Sequence, residues 1–274
     1  MPFGLYHIDE TFGLQVLSEA MQLLALRKAG ISYTELGVQE RKAAMRSTFL
    51  SVSNPFAQGK AAQIAHLKLT GVMQASDGLC SRGIESLVSD FRTAYTDPTV
   101  AGILLECRTG GGEKEAGEIL NAAIASRNKP VVAYAHSLKS AGILGTVACD
   151  EIIASSALAE LGSIGTMLSL PVGFAEQYNQ WQMDLYAKDS TEKNDGFRGF
   201  LKGDLSKLQA MLDRSNVDFM DAVSAARPLS GDVKKTLSGA VFTAVEAKSR
   251  GLVDQIGSFQ LAQSRVLSHA QRYK

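Results

Sequence analysis

The chain has 274 residues, 45% apolar and 20% charged, with 28 Lys+Arg balanced by 28 Asp+Glu. That length holds one sizeable core, or a core with an appendage. The even charge excludes a global field suited to nucleic acid or to an anionic membrane. Cys80, Cys107 and Cys149 are odd in number and widely spaced. They form neither a zinc pattern nor a disulfide set, so a reducing compartment is expected.

Residues 1–7 lack the basic region and apolar core of a signal peptide. No apolar run approaches the roughly 18 residues that span a bilayer. The expectation is a soluble, cytoplasmic protein. Leu14, Leu17, Met21 and Leu24 are spaced as a helical stripe over residues 10–28, and Ser51 to Lys60 reads as a linker. Residues 1–60 are therefore taken as a helical N-terminal arm and linker, and residues 61–274 as the main domain.

From residue 62 the pattern changes to alternating units. Ile64 to Met73 reads as a strand, and Gly83 to Tyr95 as a helix with Ile84, Leu87, Val88 and Phe91 on one face. Val100 to Cys107 is a near-continuous apolar strand of the kind buried on both faces. Thr109 to Gly112 reads as a flexible turn, followed by a helix carrying Ala116, Ile119, Leu120, Ala123 and Ile124. Val131 to Ala135 is a further buried strand, leading through Ser140 into a small-residue helix that ends near Cys149. Glu151 to Ala154 reads as a short strand, and residues 182–187 as another. A polar stretch, Lys188 to Gly203, precedes a long helix with Leu205, Leu208, Leu212, Phe219 and Val223 on one face. Residues 243–251 and 258–272 read as helices. Strand and helix alternating at this spacing predict an α/β fold with parallel strands.

Several residues carry candidate chemistry. Ser140 stands at a strand-to-helix switch, where a hydroxyl either caps the helix or lies exposed beside free N–H groups. Gly111 and Gly112 end a buried strand, where open parallel sheets bind ligands, and glycines there form either a plain turn or half of an oxyanion hole. A serine nucleophile needs a base. His136 reads as structural. Lys139 would point away from its neighbour, and Lys188 and Lys193 lie in a polar loop better placed to fold back. Burial lowers a lysine pKa and so frees a neutral amine. No Gly-x-Ser-x-Gly elbow surrounds Ser140, which argues against an α/β-hydrolase. Lys114 is not followed by Ser or Thr as a phosphate loop requires. Cys107 reads as a buried strand-end thiol, and Tyr178 with Trp181 as packing. Glu113, Glu115 and Glu118 lack a histidine cluster, so no metal is expected.

Four motifs, in order, resemble the signal peptide peptidase A family, peptidase family S49, which includes bacteriophage capsid-assembly proteases. Val100 to Gly112 is similar to that family's strand and glycine turn, although Gly110 replaces a proline. Ser140-Ala141-Gly142 and the strand Asp150 to Ala154 resemble its nucleophile segment and following strand. Leu161 to Thr166 resembles its Thr-Gly-Ser-Ile-Gly-Val motif. Phe219 to Arg227 with Gly239 to Asp254 resembles its C-terminal signature. The resemblance covers roughly residues 62–265.

It implies a ClpP/crotonase-like fold and a serine endopeptidase with a Ser–Lys dyad and no cofactor. Ser140 would be the nucleophile and Lys193 the base, with Lys188 the alternative because of a two-residue insertion. Ser163 would orient the lysine, and the N–H groups of Gly111, Gly112 and Ala141 would hold the oxyanion. With one such domain and no anchor, the implied setting is phage capsid maturation, acting on scaffold or capsid protein from a homo-oligomeric ring, in the host cytoplasm or assembling virion. A cellular signal-peptide-degrading peptidase, an acyl-CoA enzyme of related fold, and a non-catalytic assembly protein are the other readings.

Overall fold

The computed structural model describes residues 6–8, 48–53, 61–77, 82–170 and 172–273, with side chains except at 6–8, 53 and 61. Its described strands form one sheet in the order β2 (Thr48–Ser53), β3 (Ala61–Met73), β4 (Val100–Glu113), β5 (Val131–Lys139), β6 (Glu151–Ala154) and β9 (Gln255–Ile256). From β3 to β9 every neighbouring pair is parallel, and β2 joins β3 antiparallel. The α/β class read from the sequence is the fold observed.

Strand alternation divides the core in two. Leu67, Leu69, Ile103, Leu105, Val131 and Ala133 face a large core. It is covered by α1 (Ile84–Thr96), α2 (Lys114–Ala125) and the short α3 (Ala141–Thr146). Ile64, Leu104, Val132, Tyr134 and Ile153 face the other way, against Ala262, Val266 and Leu267 of α9 (Phe259–Ala270). Strands apolar on both faces are what parallel sheets require. Each large side chain buried this way contributes about 1.5–3 kcal/mol.

Between these lie α4 (Phe174–Trp181), α5 (Asp195–Phe200), α6 (Ser206–Ala226), α7 (Val233–Thr236) and α8 (Ala244–Ser249). The α9 helix is tied to the sheet by buried Glu151. This carboxylate takes Arg265 Nε at 2.6 Å, Gln255 Nε2 at 2.7 Å and His269 Nε2 at 2.9 Å.

One reading is not tested, and four differ from the structure. The helix expected over 10–28 lies outside the described residues. What is described of the first sixty residues is strand: β1 (Tyr6–Ile8) pairs with β4 and β2 with β3, so the sheet crosses the boundary set at residue 60. The Thr109–Gly112 turn is strand, because β4 runs on to Glu113 and keeps pairing with Val72 and Met73 of β3. Residues 182–187 are not a strand. Met183 and Leu185 alternate with polar residues, yet both are exposed and no described strand pairs with them. Of the stripe expected along α6, Phe219 and Val223 are buried, but Leu205, just before the helix, is exposed and Leu208 and Leu212 are only partly covered.

Candidate active site

The ends of three strands meet at Ser140. The C-terminal end of β5 is flanked by β4 on one side, with Leu138 opposite Thr109. On the other side β7 (Glu160–Gly162) runs parallel to it, with Lys139 opposite Gly162. Strand β8 (Val241–Thr243) then pairs antiparallel with β7. The Ser140 N–H donates to Gly162 O at 2.8 Å, and the next residue's N–H, from Ser163, donates to Ala240 O at 2.8 Å. Ser140 and Ser163 are thereby fixed side by side along the main chain. Gly162 is required there, since a Cβ would lie 2.5 Å from the Ala240 carbonyl oxygen.

Ser140 is 1% exposed, with φ 54° and ψ −122°. Those dihedrals suit glycine at the first central position of a type II′ turn, and a side chain there is strained. Its hydroxyl caps nothing: no N–H of α3 donates to it. The reading of Ser140 as a helix cap is therefore overturned. The Ala141 N–H, first of the helix, donates to no other described residue. Such an orphan donor accepts developing negative charge.

Thr109 is the neighbour whose importance the sequence did not reveal. It is wholly buried, its Oγ1 donates to Gly71 O at 2.6 Å and accepts from Gly111 N at 3.0 Å. This locks the glycine segment to β3, so the segment is not a loose loop. It also engages the Gly111 N–H. The backbone passes so close at Gly112 that a Cβ would lie 2.0 Å from Met73 O. A buried threonine just before glycines was the available signal.

His136 Nε2 lies 2.9 Å from Glu106 Oε1, and His66 Nε2 lies 2.9 Å from Glu106 Oε2. Burial pushes the Glu106 carboxyl up, but the hydrogen bonds from His66 and His136 prevail and hold it below the usual carboxylate range. This cluster is a tie between β3, β4 and β5. Lys139 is buried, with Nζ 3.0 Å from Glu160 Oε2, so its ammonium is held in an ion pair. Burial pushes the Cys107 thiol far up and that of Cys149 to about 12, so neither is a nucleophile near neutral pH. Cys80 lies outside the described residues. Among the described residues no His, Cys, Asp and Glu group is arranged to hold a metal ion, and no helix is long and apolar enough to cross a membrane.

Lys188 and Lys193 are exposed. Their segment is anchored by Phe174 and Tyr178 of α4 packing on Phe197 of α5. Trp181 is 89% exposed rather than packed. Neither lysine makes a hydrogen bond or ion pair to Ser140.

These features define an α/β protein with a strained serine, its hydroxyl without a partner among the described residues, between a glycine-lined strand and a helix N–H that donates to no described residue. Residues 123–272 match peptidase family S49, and the chain belongs to that family. It is 30% identical over 194 residues to the capsid assembly protease C of Escherichia phage lambda, covering 68% of this chain and 43% of that protein. It is 25% identical over 186 residues to protease 4 of Haemophilus influenzae, covering 66% and 30%. The chain thus spans less than half the length of either relative. Among solved structures it is similar to an enoyl-CoA hydratase from Bacillus anthracis, 13% identical, covering 77% and 72%, with a TM-score of 0.42.

Proposed function

We propose that the chain is a serine endopeptidase in which Ser140 is the nucleophile and Lys193 the base, with Lys188 the alternative. The observation that carries this is Ser140 itself: strained, free of any capping bond, and followed by an N–H with no partner among the described residues. Strain of about 1–3 kcal/mol persists where surrounding structure imposes it, and such residues cluster at active sites. Three surrounding strands do so here.

In the proposed reaction the Ser140 Oγ attacks the scissile carbonyl carbon while its proton passes to a neutral lysine amine. The oxyanion is received by the N–H groups of Ala141 and Gly112. Collapse expels the amine, which takes the proton from the lysine, and water then cleaves the acyl-enzyme by the same route. The Ser163 hydroxyl bonds to no described residue and is available to orient the lysine.

Since both lysines are exposed, the base acts only when residues 182–194 lie over a Ser140, their own or that of a neighbouring copy in the ring that the family resemblance implies. Likeness to a phage capsid assembly protease supports scaffold or capsid protein as substrate. The test is cleavage of an unfolded protein such as casein. Ser140→Ala and Lys193→Ala each abolish it, while Lys188→Ala does not. Activity in Ser140→Ala sinks the reading, and loss in Lys188→Ala alone moves the base. Mixing the two inactive chains restores activity only if the base is supplied across copies.

A further inference from the structure

Strand β4 runs on past the end of β5, and there its edge is no longer paired with β5. Pairing with β5 stops at Thr109 opposite Leu138, yet β4 continues to Glu113. On the β3 side, Gly111 and Gly112 are matched by Val72 and Met73. The opposite edge is filled by the chain's own N-terminal strand. Residues 6–8 run antiparallel to β4, with Tyr6 opposite Glu113, His7 opposite Gly112 and Ile8 opposite Gly111. The same strand comes within 8 Å, Cα to Cα, of the helix that Ser140 begins.

An extended peptide presented to Ser140 needs this edge. Once residues 6–8 leave, it offers unpaired main-chain groups beside the end of β5 from which Ser140 rises, and its glycines let another backbone approach closely. Strand addition to an exposed edge gains affinity mainly from main-chain hydrogen bonds, so the seat accepts many sequences. A segment of the same chain competes at a high effective concentration.

We propose that residues Tyr6–Ile8 are an intramolecular occupant of the substrate strand's seat on Gly111–Glu113, and that a polypeptide substrate must displace them to reach Ser140. This rests on Ser140 being the nucleophile, and it adds that access to Ser140 is limited by the protein's own N-terminal strand.

The test uses the full chain carrying His7→Pro and Ile8→Pro together. Adjacent residues of an antiparallel strand face opposite ways, so one of the two donates to the ladder, and proline removes that donor. Labelling of Ser140 by a fluorophosphonate probe is expected to quicken. The KM for casein falls, about tenfold for each 1.4 kcal/mol of pairing lost, with kcat unchanged. Unchanged labelling and KM would overturn the proposal. So would slower labelling with lower stability, which would make β1 a structural strand. A second arm uses Ser140→Ala. Casein binding is expected to expose the amides of residues 6–8 to hydrogen exchange, and continued protection in the casein complex would overturn the occupant role. Because this arm needs no catalysis, it still answers if Ser140 proves unreactive, an outcome that sinks the peptidase reading instead.

Discussion

At the scale of single residues, Ser140 sets stability against its proposed role. Its φ of 54° with ψ of −122° is a glycine conformation held by a serine. Glycine there would relieve strain of about 1–3 kcal/mol, less the backbone entropy cost of glycine, about 0.5–1 kcal/mol. Ser140→Gly is therefore expected to raise the unfolding free energy by about 1 kcal/mol, measured by denaturant titration, while abolishing proteolysis. Ser140→Ala, which keeps the strain, should leave stability near that of the parent chain. A Ser140→Gly chain less stable than Ser140→Ala would show that the turn is not strained. The serine was legible in the sequence because a short apolar strand ran directly into small residues. Its dihedrals were not, since they depend on Gly162 O and on β7, a strand placed by contacts far along the chain.

At the scale of elements, the C-terminal helix depends on one buried carboxylate. Glu151 is 3% exposed and is shared among Arg265, Gln255 and His269, which lie more than a hundred residues away. Removing one partner of a buried charge network costs about 3–5 kcal/mol, because the remaining charge keeps its burial without its partner. Glu151→Ala is expected to lose about 3 kcal/mol, with amides of α9 exchanging before those of β4 and β5. A loss below about 1 kcal/mol would mean that apolar packing alone holds the helix.

Helix α9 was expected over 258–272, and α1 and α2 were legible from their apolar spacing. Their amphipathic stripes need only a covered face, and the sheet supplies it. The segment 182–187 was misread because alternation of Met183 and Leu185 with polar residues signals a strand only when a sheet edge is there to receive it. The β7–β8 pair, joining Gly162 to Val241, was invisible for the opposite reason: strands of three residues carry too little pattern, and their partners are set by the whole fold.

At the scale of the whole molecule, two carboxylates tie the parallel strands together, and both make its stability depend on pH. Glu106 accepts from His66 on β3 and His136 on β5, with Arg108 at 3.8 Å. Asp150 accepts from Arg127, Tyr273 and the Val131 N–H that starts β5. Burial raises both acids, but these hydrogen bonds outweigh it and hold both below the usual carboxylate range. A carboxyl that binds its proton more weakly in the folded chain than in the unfolded one stabilises the fold above the unfolded value. That contribution is lost as pH falls through the folded value. Stability is thus expected to be full above about pH 5 and to decline progressively below about pH 4, where unperturbed Asp and Glu titrate. Glu106→Gln removes one of the two ionisations. Denaturant midpoints measured from neutral to acid pH should show that variant less stable than the parent at pH 7 and converging on it as the pH falls. Parallel curves would place the acid sensitivity elsewhere in the molecule.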